Sequence, residues 1–250
     1  MKSFVSIITP SFNSSEYFEQ TAAGVFAQTY QDWEWLITDD CSQDASWSVI
    51  DELCAADSRI KAVRNDTNLG AAFSRNRSLE RANGEYVAFL DADDVWRPDK
   101  LEKQVAFMQE TGLDFSFTAY EIVDADGRPR DKVVDGEFGG VVGYEDMLCK
   151  RATMGCSTVM LSRAAVGPDR MPNLRTGQDY AFWLTLLKKL GGARCLPVVL
   201  TSYRIRPGSI SRNKFAKAKR QWQIYRSCEK LGLGKSLWCF ANYAYRAVAR

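Results

Sequence analysis

Glu85-Tyr86-Val87-Ala88-Phe89-Leu90-Asp91-Ala92-Asp93-Asp94 is the stretch that decides how this 250-residue chain folds. Val87 to Leu90 reads as a buried strand that stops abruptly at three carboxylates within four positions. Clustered like charge at the end of a buried strand is costly, because carboxylates repel one another and resist desolvation. A hard divalent cation, Mn2+ or Mg2+, resolves the conflict. It takes oxygen from one or two carboxylates and completes its shell with substrate phosphates. In open α/β sheets ligands sit just outside the carboxyl ends of strands, which is where these acids fall. For so short a motif the plain alternative is an Asp-rich helix cap in a solvated loop, and the rest of the chain has to decide.

Working outward, the chain alternates strands and helices. Val5–Thr9 reads as a first strand, Pro10–Asn13 as the turn after it, and Ser14 or Ser15 as the cap of a helix to about Thr29. Trp33–Thr38 is a second strand, closed by Asp39-Asp40-Cys41-Ser42, with a helix from Ala45 to Ala56 behind it. Arg59–Val63 is a third strand, and Asn68-Leu69-Gly70 opens a helix through Arg81. Pro98 is expected at the first position of a helix ending at Thr111, with Gly112 just past its end. Such alternation implies an α/β fold with a doubly wound, mainly parallel, Rossmann-like sheet. The second half reads as a small mixed β region. It has a hairpin (Phe115–Val123 with Lys132–Val134), a strand at Thr158–Leu161, a helix at Gln178–Leu190 and a last strand at Val198–Arg204. Beyond Ile210 the pattern turns helical, broken near Gly232-Leu233-Gly234.

Composition narrows the chemistry. The chain has no histidine, which excludes Ser-His-Asp and Cys-His hydrolases and leaves Asp, Glu, Lys, Cys or Tyr as general base. Seven scattered cysteines without a C-x-x-C pair argue for free thiols in a reducing cytosol and against a zinc site. No signal peptide or membrane-spanning segment is expected. The net charge of +2 is uneven: residues 211–250 hold ten Lys and Arg against Glu229 alone, which leaves residues 1–210 at −7. Two parts are therefore expected, a catalytic domain over 1–210 and a basic, aromatic-rich helical extension over 211–250.

Asn13, Asp39 and Asp40, Asp91, Asp93 and Asp94, and later Asp179 fall at strand ends or in the loops after them, edges that converge on one crevice in a parallel sheet. Phe12 is placed to stack on a base. Arg75 is placed to reach a phosphate, unless it is simply a surface arginine. Asp179 falls in the first turn of a helix. The helix dipole alone favours an acid there; the functional reading is a base that takes a proton from an incoming hydroxyl, beside Tyr180 and Trp183.

Taken together, Val5–Asn13, Asp39–Asp44, Asn68-Leu69-Gly70 with Ser74-Arg75-Asn76, Gly84–Asp94 and Gln178-Asp179 resemble the family-two inverting glycosyltransferases of the GT-A fold. Gly155–Val159, Tyr203-Arg204 and Ser209-Ile210-Ser211 resemble the branch that builds teichuronic acid, capsule and O-antigen. The resemblance implies that Thr9, Pro10, Phe12, Asn13 and Asp40 hold the uridine of a UDP-sugar, supported by Arg75. It implies Asp91 and Ala92 at the ribose, Asp93 on the metal, Asp179 as base, and Gln178, Tyr180 and Trp183 on the acceptor side. The family's usual Glu-Asp is Gln178-Asp179 here, and its frequent histidine after the last strand is replaced by Tyr203-Arg204-Ile205-Arg206, so Arg204 or Arg206 is expected on the diphosphate.

A lipid-linked saccharide acceptor is the partner this branch implies. The basic tail, with Phe215, Trp222, Tyr225, Trp238, Phe240 and Tyr243, is expected to contact an anionic membrane surface from the cytoplasmic side, unless its aromatics pack on the catalytic domain or form a homodimer. A nucleotidyltransferase is disfavoured because no Gly-rich basic loop follows the first strand, and a dinucleotide oxidoreductase because no G-x-G-x-x-G does. Nucleic acid is not an expected partner, since the body is acidic and carries no reading module. A catalytically idle sugar-nucleotide binder remains an alternative.

Overall fold

A computed structural model describes residues 3–206 and 214–249. Its first half is the expected alternation: β1 (Val5–Ser11), α1 (Ser15–Phe26), β2 (Trp33–Asp39), α2 (Ser46–Ala56), β3 (Ile60–Arg64), α3 (Ala71–Glu80) and β4 (Tyr86–Phe89). Then come β5 (Val95–Trp96), α4 (Lys100–Thr111), β6 (Phe115–Val123), β7 (Pro129–Val134), β8 (Val141–Val142) and α5 (Tyr144–Leu148). A 3-10 turn (Cys156–Thr158) leads to β9 (Met160–Ser162), α6 (Arg163–Val166), α7 (Gln178–Leu190) and β10 (Ala193–Arg204). Last are α8 (Lys214–Gln223), a π-turn (Ile224–Cys228) and α9 (Leu233–Ala249).

The strands form one sheet in the order β3-β2-β1-β4-β9-β6-β10-β5, with β7 beside β6 and β8 beside β10. β1 to β4 are mutually parallel, and β9 enters antiparallel between β4 and β6. The chain winds outward from β1 to β3, then returns to β4 on the other side of β1. That reversal opens a crevice at the carboxyl ends of β1 and β4.

Alternate residues feed two cores, as strand pleating requires. Val5, Ile7, Tyr86 and Ala88 pack with Phe18 and Val25 of α1 and Leu101, Val105 and Met108 of α4. Ile8, Val87 and Phe89 pack on the other face with Ala72 and Leu79 of α3 and with α7. Ile224, Tyr225, Leu231 and Cys239 join this second core, so the C-terminal helices lie against α5 and α7.

Three local expectations are corrected. Pro98 lies two residues before α4, with Asp99 as the cap residue, because the Pro98 carbonyl accepts the Thr29 N–H at 2.8 Å and ties this turn to the end of α1. β10 begins at Ala193, five residues earlier than expected. Pro197 falls within it and the register shifts on either side of Val199, so the strand continues through an irregularity that reads as a break. β5, β8, α5 and α6 have no counterpart in the sequence pattern; none exceeds five residues. Ser209-Ile210-Ser211 lies outside the described residues.

Candidate active site

The acid run is held by a network that begins in the 3-10 turn. Ser157 Oγ accepts the Asp91 N–H at 3.0 Å and donates to Asp94 Oδ2 at 2.5 Å. Asp94 Oδ1 accepts the Arg204 N–H at 3.0 Å, which ties the end of β10 to the acid turn. Burial pushes the Asp94 carboxyl well up, with the charges of Asp93 and Asp91 adding to it. Burial and then Asp91 push the Asp93 carboxyl up as well.

Arg204 is committed to the protein itself. Its Nε donates to the Asp93 carbonyl, Nη1 to the Ala125 carbonyl and Nη2 to Gln20 Oε1, and the residue is only 2% exposed. Arg206 is the arginine left on the open side. Its Nε lies 3.0 Å from Asp93 Oδ2, and Tyr17 lies beneath its guanidinium.

Arg75, on α3, is buried, and its Nη2 lies 2.5 Å from Asp91 Oδ1. Its Nε and Nη1 are also buried and have no hydrogen-bond partner. Burial works against the guanidinium charge, but Asp91, then Cys156 and Asp179, hold it firmly protonated. Arg75 therefore stands in the electrostatic reach of the acid turn and of the first turn of α7 at once.

Asp40 is buried at the end of β2. Its Oδ1 accepts from Asn65 Nδ2 and the Leu69 N–H, and its Oδ2 from the Gly70 N–H at 2.7 Å, so one of its roughly four lone-pair positions is left. Asn13, at φ 46°, holds the same loop: its Oδ1 accepts the Gln43 N–H and its own N–H donates to Ser42 Oγ. Phe12, between them, is 44% exposed and free to stack. The Thr9 hydroxyl is turned into the core, where it accepts the Trp35 indole N–H, and Pro10 lies beside it on the strand. Ala92 is nearly buried, and its carbonyl accepts from Thr21 Oγ1.

Asp179 is partly exposed in the first turn of α7, next to Gln178, whose Oε1 is buried without a partner. The expected aromatic wall is not there. Trp183 is fully buried, edge-on to Phe89 and Phe115 at 5.3 and 5.6 Å, and the Tyr180 hydroxyl donates to the Met147 carbonyl. Only the end of α7 meets the crevice; one turn deeper it is core. Of the two residues that tie the site together, Ser157 carried no expected role and Asp94 was expected only as one of the three acids of the run. Their one signal in sequence is that a small hydroxyl and a third carboxylate stand beside residues already singled out.

Among the described residues no three His, Cys, Asp or Glu side chains form a metal-ligating cluster. The donor chemistry nevertheless fits a hard cation held by Asp93 together with diphosphate oxygens: the carboxylates are crowded and oxygen-only, and burial pushes those of Asp93 and Asp94 up.

Residues 6–165 match the family described as Glycosyl transferase family 2. The chain is 45% identical over its whole length, and 98% of the other's, to TuaG of Bacillus subtilis, a glycosyltransferase named for teichuronic acid biosynthesis. It is 36% identical, over 88% of this chain and 84% of the other, to WfgD of Escherichia coli, named as a UDP-Glc:alpha-D-GlcNAc-diphosphoundecaprenol beta-1,3-glucosyltransferase. In fold it is similar to S. aureus TarS 1-349 in complex with UDP-GlcNAc, at a TM-score of 0.78 and 20% identity, over 98% of this chain and 73% of that one. It is likewise similar to a Pyrobaculum calidifontis mannosyltransferase in complex with GDP-Man and Mn2+, at 0.68 and 17%, over 100% and 75%. The strand order around the acid turn, the set of acids at the strand ends and these matches lead to one assignment: the chain belongs to glycosyl transferase family 2 and is a glycosyltransferase of the GT-A fold.

Proposed function

We propose that the chain transfers a sugar from a UDP-sugar to a lipid-linked saccharide in surface polysaccharide biosynthesis, with inversion at the anomeric carbon. The observation that carries this reading is Arg75. Its buried guanidinium pairs with Asp91 on the donor side, lies in the field of Asp179 on the acceptor side and keeps two unpartnered nitrogens. Phe12 stacks on uracil, the remaining lone pair of Asp40 accepts from its N–H, and Asp91 meets the ribose. Asp179 takes the proton of the acceptor hydroxyl as that oxygen attacks the anomeric carbon from the side opposite UDP. Asp93, with the diphosphate, holds Mn2+ or Mg2+, which when bound supplies charge stabilisation to the leaving group. Arg206 adds to that stabilisation from the open side. The names of TuaG and WfgD support the polysaccharide setting and a diphospholipid acceptor.

The same reading places the enzyme at a membrane surface. Leu233, Leu237, Trp238 and Tyr245 of α9 are each more than half exposed. They sit in the segment whose lysines and arginines outnumber acids ten to one. No described helix is long and apolar enough to cross a membrane, so an interfacial contact is the arrangement this face suits.

The test is calorimetric titration of UDP in Mn2+ and in excess EDTA, followed by transfer assays with Asp179→Asn. UDP is expected to bind far better with metal. The variant is expected to keep UDP affinity and lose about 10²–10⁴-fold in transfer. A variant with near-normal turnover removes Asp179 from the role of base.

A further inference from the structure

Arg220 of α8 lies directly on the first turn of the helix that carries Asp179. A Cβ built at Gly177, the residue before α7, would come within 2.7 Å of Arg220 Cδ, 3.0 Å of its Nε and 3.2 Å of Ile224 Cδ1. Gly177 has φ +73°, a left-handed conformation that glycine adopts cheaply, and the missing side chain lets the arginine close on the helix end. One turn back on the same stripe of α8 is Lys217, half-buried. Burial pushes its ammonium down, and the neighbouring Arg220 charge adds to that.

This arrangement is electrostatically uncomfortable without an anion. The N-terminal end of a helix is itself positive, Arg220 lies on it, and Lys217 adds a second cation one turn back on α8. Among the described residues no carboxylate lies within ion-pair distance of Lys217 or Arg220. The single acid of the tail, Glu229, is committed to Lys188 at 2.9 Å and to the Tyr144 hydroxyl. Polar atoms at this end also wait for partners: Gln178, 8% exposed, has a buried Oε1 with none, and Arg75, 5% exposed, has two such nitrogens.

We propose that Arg220, laid against the N-terminus of α7, and Lys217 beside it on α8 bind the diphosphate that joins the acceptor sugar to its lipid. The inference rests on the lipid-linked acceptor of the functional reading and assigns it a subsite. A diphosphate diester carries two negative charges for two cations. With its phosphates on Arg220, the sugar it bears lies against the first turn of α7, where Asp179 meets one hydroxyl and Gln178 Oε1 accepts from another. The C-terminal helices then contribute to the chemistry by bringing the charged end of the acceptor to the base.

The test uses the full chain with Mn2+ and saturating UDP, so that the donor site is filled, and titrates dodecyl diphosphate calorimetrically. Wild type is expected to bind it. Arg220→Gln and Lys217→Gln are each expected to weaken that binding about tenfold or more, and Arg220→Lys to recover part of it. UDP affinity and the weak binding of uncharged dodecyl maltoside are expected to stay unchanged. Equal affinity of wild type and Arg220→Gln for dodecyl diphosphate overturns the proposal. So does a parallel loss on phosphatidylglycerol vesicles with dodecyl diphosphate unaffected, which would make this a headgroup contact. Failure of UDP to bind, read in the same cell before the lipid is added, overturns the functional reading instead.

Discussion

Lys100 is an internal lysine whose removal gives a pH-dependent gain. It is fully buried at the start of α4; its Nζ donates to Gln104 Oε1 at 2.5 Å and sits 4.2 Å from the centre of the Trp96 ring. Burial pushes the ammonium down from 10.5 to about 7. In the window between those values the unfolded chain holds one proton more than the folded chain, so stability rises with pH, and the deficit is complete below about pH 7. A displacement of that size corresponds to about 5 kcal/mol, and the face of Trp96 returns about 1–2 of it while the charge is present. Lys100→Met removes the charge at similar length but strands Gln104 Oε1, at a cost of about 1–3 kcal/mol that does not vary with pH. The variant is therefore expected to be more stable than wild type at pH 6 and less stable at pH 10. The swing between the two is about 2–3 kcal/mol, obtained from the buried charge less the ring contribution and less the part that persists at pH 10, where the unfolded lysine is still mostly protonated. Urea denaturation of both proteins at the two pH values, followed by tryptophan fluorescence, measures it, because every other titrating group cancels in the comparison. A swing below about 1 kcal/mol refutes the reasoning, since the lysine would then be reaching water or a counter-charge.

Asp93→Asn is expected to weaken UDP binding and make it insensitive to EDTA; undiminished chelator sensitivity would place the cation elsewhere. Replacing Leu237 and Trp238 of α9 with glutamate is expected to cut partitioning onto phosphatidylglycerol vesicles by about tenfold or more per site, from about 1.5–3 kcal/mol of lost burial each. Retained partitioning would assign that face to another partner. Gly84→Ala brings a Cβ to 2.5 Å from the Ser6 nitrogen and 2.7 and 2.8 Å from the Tyr86 and Phe4 carbonyl oxygens, all backbone. Overpacking of this kind costs about 3 kcal/mol, or roughly 6–12 °C in Tm for a chain of this size, and a shift under about 3 °C would show that the strand ends give way.

The parallel half of the fold was legible because its information is local. Each strand is a short apolar run that ends in a polar turn, and α7 runs from Gln178 to Leu190 as its pattern and the glycines at its end require. The antiparallel half was read less fully. β5 and β8 are two residues long and exist only because β10 pairs with them, a fact no local window contains. Asp91, Asp93, Asp179 and Arg75 were singled out through residue type and position, and the structure brings Arg75 into the field of both Asp91 and Asp179. Arg204 and Trp183 were assigned to the ligand because type and position do not reveal direction. The backbone of β10 turns the Arg204 side chain back onto Gln20 and Ala125, and the second turn of α7 carries Trp183 below the crevice. Burial, a long-range property, separates a ligand-facing arginine from a structural one.

That distinction orders the three arginines of the site by what each has left to give. Arg204 has all three of its nitrogens committed, and its work is to fix the end of β10 to the acid turn. Arg75 is nearly as buried yet keeps Nε and Nη1 unpartnered, and leaving buried donors unsatisfied costs about 1–3 kcal/mol, which a ligand bound there would recover. Arg206 is about a third exposed, and its contacts are Asp93 and the face of Tyr17. Asp93 needs a countercharge, because burial and Asp91 both disfavour its ionised form, and Arg206 supplies one. On the proposed function, a dication held by the same carboxylate would supply more charge in less space and leave the guanidinium to the diphosphate. A chain without histidine thus still has a group that balances Asp93, and on the proposed function the same group would serve the leaving diphosphate.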